Sequence, residues 1–159
     1  VLCGKAPSKQ HATCTNCGGD FVYPQEPTYN CLPGYSLDKA CKSVTSFTTK
    51  CDVDAEFVFP DNVTKRCQAV TALMNGKPEL KLVKAELKIS NSEPMHYMDD
   101  PREAVCLKGY SIDGKDASKN SFVITATKDC EFAGVVDCKI NVCGKAPSVS
   151  YASPNDADK

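Results

Sequence analysis

Residues 31–38 read Cys-Leu-Pro-Gly-Tyr-Ser-Leu-Asp, and residues 106–113 read Cys-Leu-Lys-Gly-Tyr-Ser-Ile-Asp. Six of the eight positions are identical, and a seventh exchanges Leu for Ile. The two copies are 75 residues apart, counted from Cys31 to Cys106. Self-similarity at a fixed spacing predicts an array of like structural units rather than one continuous domain.

A second repeat frames the first. The five residues Cys-Gly-Lys-Ala-Pro at 3–7 recur unchanged at 143–147. Downstream of the central motif, Thr-Thr-Lys-Cys at 48–51 aligns with Ala-Thr-Lys-Asp-Cys at 126–130. These matches predict that the chain is an excerpt from a tandem array, in which one unit begins at each copy of the five-residue phrase.

Cysteine content indicates the compartment. The chain has 11 cysteines in 159 residues, no tryptophan and few other aromatic residues. A unit of about 60–70 residues with so little apolar material needs covalent help to offset the entropy of ordering its chain. Disulfides supply that help only in an oxidising environment. We therefore expect a secreted protein or the extracellular face of a surface protein, reached through the secretory pathway.

Short β-branched and aromatic runs, bounded by Pro, Gly, Asn or Asp, predict an all-β fold. The four clearest runs are 20–23, 46–49, 56–59 and 121–125. Residues 78–89 fit either a helix or a strand with one bulge, and we favour the bulged strand. The polar stretch 148–159 has little to bury, which predicts disorder when the rest of its own module is absent.

The pattern Cys-x-x-Gly-Tyr-Ser-Leu/Ile, preceded in one copy by Tyr29 and followed by a strand-like run into another Cys, resembles the complement control protein module, also called the sushi domain. The resemblance implies two small, elongated, disulfide-stapled β-sandwich modules in tandem. It further implies that four cysteines pair first with third and second with fourth in each module. These pairs are Cys3–Cys51, Cys31–Cys67 and, in the second module, Cys106–Cys138. Divergent arrays of this kind occur in surface proteins of apicomplexan parasites, the context that the resemblance suggests.

Module boundaries follow from the same alignment. The first module is predicted at 1–67 and the second at 68–138. Residues 139–159 form a linker and the start of a truncated third module. The alignment places Ala72 where the second module's first cysteine is expected, so Cys130 has no family partner. The chain also lacks the family's tryptophan before the fourth cysteine.

Five cysteines are left without an assigned partner: Cys14, Cys17, Cys41, Cys130 and Cys143. We expect Cys41 to bond Cys14 or Cys17, and Cys130 to bridge to Cys143. The Cys-x-x-Cys pair at 14 and 17 is also compatible with a zinc site completed by His11 and Cys41, or with thiol exchange, and we favour the disulfide.

No catalytic motif or cofactor site is recognisable, so we expect a non-enzymatic protein without a cofactor. The acidic run 52–56 lacks the Gly and Glu of a calcium loop. A net charge of −1 favours neither nucleic acid nor an anionic membrane as partner. Asn62-Val63-Thr64 forms a glycosylation sequon, which is compatible with secretion.

The function that fits is binding of another extracellular protein, as an adhesin, a receptor ectodomain or an assembly component. The predicted surface is the module junction, 65–77, together with the loop 95–102, where four exposed residues would anchor the partner. These four are Met95, His96, Tyr97 and Met98; packing under the loop is the alternative for them. Four lysines would form a basic stripe for a sulfated glycan as a second partner: Lys77, Lys81, Lys84 and Lys88. Three interspersed glutamates dilute this charge, and we favour an ordinary solvated face for the stretch; they are Glu79, Glu86 and Glu93. The rival hypothesis is a stand-alone secreted inhibitor or effector that uses residues 11–41 as a rigid plug.

Overall fold

The computed structural model describes residues 1–59 and 65–144. Within those ranges the chain forms fifteen short β-strands and no helix. The strands are β1 (Leu2–Lys5), β2 (Ala12–Cys14), β3 (Asp20–Val22), β4 (Thr28–Cys31), β5 (Tyr35–Ser36), β6 (Ser46–Thr48), β7 (Lys50–Cys51), β8 (Phe57–Val58), β9 (Gln68–Ala69), β10 (Ala85–Leu87), β11 (Arg102–Cys106), β12 (Tyr110–Ser111), β13 (Ser121–Ala126), β14 (Phe132–Ala133) and β15 (Lys139–Ile140).

The predicted all-β class is confirmed. All four clear runs contain a strand, namely β3, β6, β8 and β13. The strand β13 shows why: Phe122 and Ile124 are buried while Val123 between them is exposed, the alternation that a half-buried strand requires. In the ambiguous stretch 78–89 only β10 is a strand, and it begins just after Lys84, whose φ is 55°.

Two antiparallel sheets of the same design organise the chain. In the first, β2, β4 and β6 are neighbours in that order; in the second, β10, β11, β13 and β14 follow one another. The registers correspond: Ala12 pairs with Cys31 in the first sheet, and Ala85 pairs with Cys106 in the second. Smaller two-stranded pairs complete the fold: β1–β3, β5–β9, β7–β8 and β12–β15.

The same hydrogen-bond pattern recurs along the chain, which defines a first unit, residues 1–69, and a second unit, residues 70–144. Tyr35 pairs with Ala69 as Tyr110 pairs with Ile140. The Tyr35 N–H donates to Leu32 O at 3.0 Å, and the Tyr110 N–H donates to the corresponding oxygen at 2.9 Å. The repeated sequence motif therefore has one backbone structure in both copies.

Each unit has a small core of its own. In the first, Tyr29 and Phe47 stack with ring centroids 5.1 Å apart beside buried Cys67. In the second, Ala104, Phe122, Ile124 and Cys138 form the buried cluster, which partly buried apolar side chains surround. Cores of this size supply only a few kcal/mol, so both units rely on covalent links.

Candidate functional site at the junction of the two units

Ten of the eleven cysteines form disulfides within the described residues. The five bonds are Cys3–Cys51, Cys14–Cys17, Cys31–Cys67, Cys41–Cys130 and Cys106–Cys138. Three of them, Cys3–Cys51, Cys31–Cys67 and Cys106–Cys138, are the pairs that the resemblance implies. The exposed Cys143 is the one described cysteine without a partner.

The predicted bond between Cys41 and the Cys-x-x-Cys pair is wrong. Cys14 and Cys17 bond each other across a tight turn, with Cα atoms 5.7 Å apart. Their sulfurs are thus unavailable as thiolate ligands, which removes the zinc alternative. No group of three or more potential metal ligands occurs in residues 1–59 and 65–144. Cys41 lies on the turn after β5 and bonds to the second unit instead.

The predicted bridge from Cys130 to Cys143 is also wrong, and the register shows why. Cys51 pairs with Phe57 in the first unit, and Ala126 pairs with Phe132 in the second. Ala126 therefore occupies the position of Cys51. Cys130 corresponds to Ala55, since both lie in the turn that follows and have φ near 64°. The sequence alignment of Cys51 with Cys130 was shifted by four residues.

The second unit lacks the bond between the first and third cysteines, because both of these cysteines are replaced. The Tyr23 N–H donates to Val1 O at 2.9 Å, and the Tyr97 N–H donates to Val70 O at 2.8 Å. These contacts make Val70 the counterpart of Val1, and hence Ala72 the counterpart of Cys3. Ala72 is fully buried. The second unit therefore has alanines, 72 and 126, where the first has the bonded pair Cys3–Cys51.

A disulfide between the units takes the place of that internal bond. Cys41 comes from the first unit and Cys130 from the second, 89 residues apart in sequence. A link over a long loop contributes about 2–4 kcal/mol, chiefly by restricting the unfolded chain. Here it has a second consequence, because it joins the first unit to the second at a point away from the peptide linker. The relative orientation of the units is held by two covalent connections.

Non-covalent contacts complete the junction around Val70, which bonds to both units. Its N–H donates to Gly34 O at 3.0 Å, while its carbonyl accepts from Tyr97. The Tyr97 ring then lies edge-on to the Tyr35 ring, with centroids 5.8 Å apart. The His11 ring stacks on the Tyr35 ring, with centroids 4.2 Å apart. In the first copy of the repeated motif, Tyr35 thus makes an aromatic contact with the second unit.

Gly34 is required at this contact for two separate reasons. Its φ is +88°, a backbone conformation that L side chains rarely adopt. A Cβ at this position would also lie 2.4 Å from Cδ1 of Tyr97. The ring therefore packs directly on the glycine backbone, and no other residue fits there without moving Tyr97.

Residues 95–98 were predicted to be four exposed anchors for a partner, and for Met95 this is wrong. Met95 is only 1% exposed, and its carbonyl accepts from the buried Ala72 N–H at 2.8 Å. His96 lies 3.1 Å from Thr71, measured from Nδ1 to Oγ1, and Tyr97 packs at the junction. Only Met98, 72% exposed, remains fully available. The segment is used mainly to join the units.

An open cleft of about 910 Å³ lies beside this segment. It is lined by residues 88–103, among which Arg102 donates to the carbonyls of Asn91 and Pro94 and so holds the loop. An ion pair between Lys88 and Glu103 closes the base of the loop. Ile89, 81% exposed, stands at the cleft rim. The cleft combines apolar side chains with charges of both signs, which suits a protein partner.

The lysines proposed for a sulfated glycan are all exposed, but two have partners in the chain. The Lys84 ammonium lies 5.7 Å from the centroid of the Tyr110 ring. Lys88 pairs with Glu103. Lys77 and Lys81 are exposed on the same stretch of chain.

Two aspartates at the same position of the repeated motif organise the turns that follow it. Asp113 accepts from the N–H groups of Lys115 and Asp116 and from the Lys119 ammonium, all at 2.9–3.0 Å. These donors lower the pKa of Asp113 well below its ordinary range. In the first unit the Ser43 hydroxyl and the Ala40 N–H lower the pKa of Asp38 in the same way.

No protein-family model matches the chain, and no curated protein sequence matches it. In the described ranges, no helix has the length and apolar character needed to cross a membrane. The predicted sequon at Asn62 lies outside the described residues.

Proposed function

We propose that the chain is a pair of divergent sushi-like modules that binds another extracellular protein without catalysis. The observation that carries the proposal is the doubly connected junction, where Cys41–Cys130 and the Gly34–Tyr97 contact join the two units. A binding protein benefits from such a junction because a rigid surface loses little entropy when a partner binds. The five disulfides of the described chain require an oxidising compartment, which is compatible with a secreted or surface-exposed protein.

The proposed binding surface is the cleft of residues 88–103. Ile89 lines the cleft, and the exposed Met98 lies in the same loop, between the lining residues His96 and Asp99. These two side chains would supply the central contacts, since exposed apolar side chains next to polar groups are typical of protein interfaces. The surface lies next to Tyr97 and therefore next to the junction. The Cys41–Cys130 bond would hold it at a constant position relative to the first unit.

The test uses binding of the labelled chain to the surface of cells from its source. Ile89→Asp with Met98→Asp should lower the affinity at least about tenfold, because two apolar contacts are replaced by charges. Val44→Asp with Val53→Asp is the matched control, since both valines are exposed on the first unit. Equal loss in the control, or no loss in either variant, would rule out the cleft as the site.

Two further arms separate the alternatives. Competition by soluble heparin, with loss of binding in Lys77→Ser/Lys81→Ser, would identify a sulfated glycan as the ligand. Loss of binding only on substitution of the exposed Thr15, Gly18 and Gly19, which leaves the Cys14–Cys17 bond in place, would favour the stand-alone effector that uses its cysteine-rich first unit. Replacing Cys41 and Cys130 by Ser should weaken protein binding severalfold while both units stay folded, which near-ultraviolet circular dichroism checks.

A further inference from the structure

The end of the second unit repeats the structure that the first unit uses to hold its neighbour. We call this end the C-terminal pole; it comprises Leu107, Gly109, Tyr110, Ile140 and Val142. The Asn141 N–H donates to Gly109 O at 2.8 Å, as the Val70 N–H donates to Gly34 O at 3.0 Å.

The next residue of the linker follows the same path. The Val142 N–H donates to Gly114 O at 3.0 Å, and the Thr71 N–H donates to Lys39 O at 2.9 Å. Residues 141–143 therefore correspond one by one to residues 70–72. The chain leaves the second unit in the direction in which it leaves the first.

The two ends differ in what covers them. Tyr97 and Lys128 lie against Gly34, whereas nothing lies within 4 Å of a Cβ built on Gly109. Around Gly109 the apolar side chains Ile140 and Val142 are 65% and 74% exposed. The C-terminal pole is thus a formed but uncovered copy of the surface on which the second unit docks.

The other half of this contact is present at the opposite end of the chain. Tyr23 is the counterpart of Tyr97, because each donates its N–H to the carbonyl of the first residue of its unit, Val1 or Val70. Tyr23 is 43% exposed and has no preceding unit to contact in the described chain. A unit that begins with the phrase at 3–7 therefore carries the aromatic residue needed for docking.

We propose that the C-terminal pole is the docking surface for a third β unit of the same chain that begins at Cys143. Two observations identify this occupant: the linker geometry leads into Cys143, and residues 143–147 repeat residues 3–7. The occupant's counterpart of Tyr23 would pack on Gly109. This inference does not depend on which molecule the protein binds.

The second junction differs from the first in one respect. Asp116 occupies the position of Cys41, 75 residues later, and accepts from the Ser118 hydroxyl and N–H. No sulfur is available there to bond the following unit. Docking at the C-terminal pole is therefore reversible, whereas the first junction is held by a disulfide.

The experiment fuses two copies of the chain at the repeated five-residue phrase. Residues 1–142 of the leading copy are followed directly by residues 3–159 of the appended copy, which carries Cys143→Ser. The appended Cys3 then takes the position of Cys143 and retains its partner Cys51. We expect nuclear Overhauser contacts between the appended Tyr23 ring and the Gly109 Hα, with common alignment of the flanking units in residual dipolar couplings.

Tyr23→Ser in the appended copy should lower the docked population about tenfold. The same substitution in the leading copy is the matched control. That Tyr23 has no preceding unit to contact and loses the same Lys50 contact, so the substitution should leave docking unchanged. Gly109→Val should abolish docking, while Gly76→Val, at another glycine of positive φ with nothing within 4 Å, should preserve it. Independent tumbling of the appended units, or equal effects of both Tyr23→Ser variants, would overturn the proposal.

Discussion

The two units have the same strand pairs but are held together differently. Within the described residues, the first has three internal disulfides and the second has one, Cys106–Cys138. In exchange, the second unit has a wider apolar cluster around Ile124 and a disulfide to its neighbour. The difference teaches that one backbone design tolerates the loss of an internal disulfide when packing and an external link replace it.

The largest change in stability is expected when the second unit loses its internal disulfide. Replacing Cys106 and Cys138 by Ala should lower its free energy of unfolding by about 3–4 kcal/mol, since the bond closes a long loop and the unit has no other. Thermal unfolding followed by nuclear magnetic resonance should show the second unit melting first. The same melting temperature for both units would contradict the compensation described above.

Restoring the lost bond is the converse test. Ala72→Cys with Ala126→Cys should form a disulfide equivalent to Cys3–Cys51 and stabilise the second unit by about 1–3 kcal/mol. Peptide mapping identifies the bond, and denaturant titration measures the gain. Ala72→Cys with Asp129→Cys is the control. The sequence alignment places the equivalent of Cys51 near residue 130, whereas the strand register places it at residue 126. A bond to residue 129 instead of 126 would show that the register equivalence is wrong.

The junction contact is tested by a matched pair of glycine substitutions. Gly34 and Gly109 have φ of +88° and +87°, but only Gly34 has a ring against it. Gly109→Val should cost about 1–2 kcal/mol from the backbone alone. Gly34→Val should cost about 1–3 kcal/mol more, because Tyr97 must move. Equal losses of unfolding free energy for the two variants would show that the Tyr97 contact contributes nothing.

The smallest effect concerns the two turn aspartates. Because its folded-state pKa is lowered, Asp113 stabilises the turn 113–119 above its unfolded pKa of about 3.9, and this contribution is lost as the pH falls through the folded pKa. Asp113→Asn should speed amide exchange at Lys115 and Asp116 at pH 6. In the unsubstituted chain, the carboxyl carbon of Asp113 should titrate at lower pH than in a model peptide; titration at the ordinary value would refute the hydrogen-bond argument.

Much of the fold was predictable because it depends on local pattern. The alternation of apolar and polar residues in 121–125 predicted β13. The repeated Gly-Tyr-Ser motif predicted a repeat, and its two copies have the same backbone hydrogen bond and the same kind of strand pairing. The contact between Gly34 and Tyr97 was not predictable in this way, because the two residues are 63 positions apart and no local sequence pattern links them. The only signal was that Tyr23 and Tyr97 both lie shortly before a repeated cysteine.

Cysteine pairing shows most clearly which features the sequence predicts and which only the folded structure decides. The cysteines of the repeated framework occur at positions that a family pattern can match, so their partners were predictable from sequence. Cys14, Cys17, Cys41 and Cys130 lie outside that framework. Their partners depend on which sulfurs the folded chain brings within bonding distance, and a four-residue shift in alignment was enough to misplace Cys130.

The sequence by itself determined the all-β class, the oxidising compartment and the existence of a repeat, because composition and local periodicity decide these properties. Only the tertiary structure decided that Met95 is buried, that Cys41 reaches Cys130 and that Gly34 is covered while Gly109 is not. These features depend on contacts between residues far apart in the chain. The two copies of the motif therefore have different surroundings although their own backbone geometry is the same.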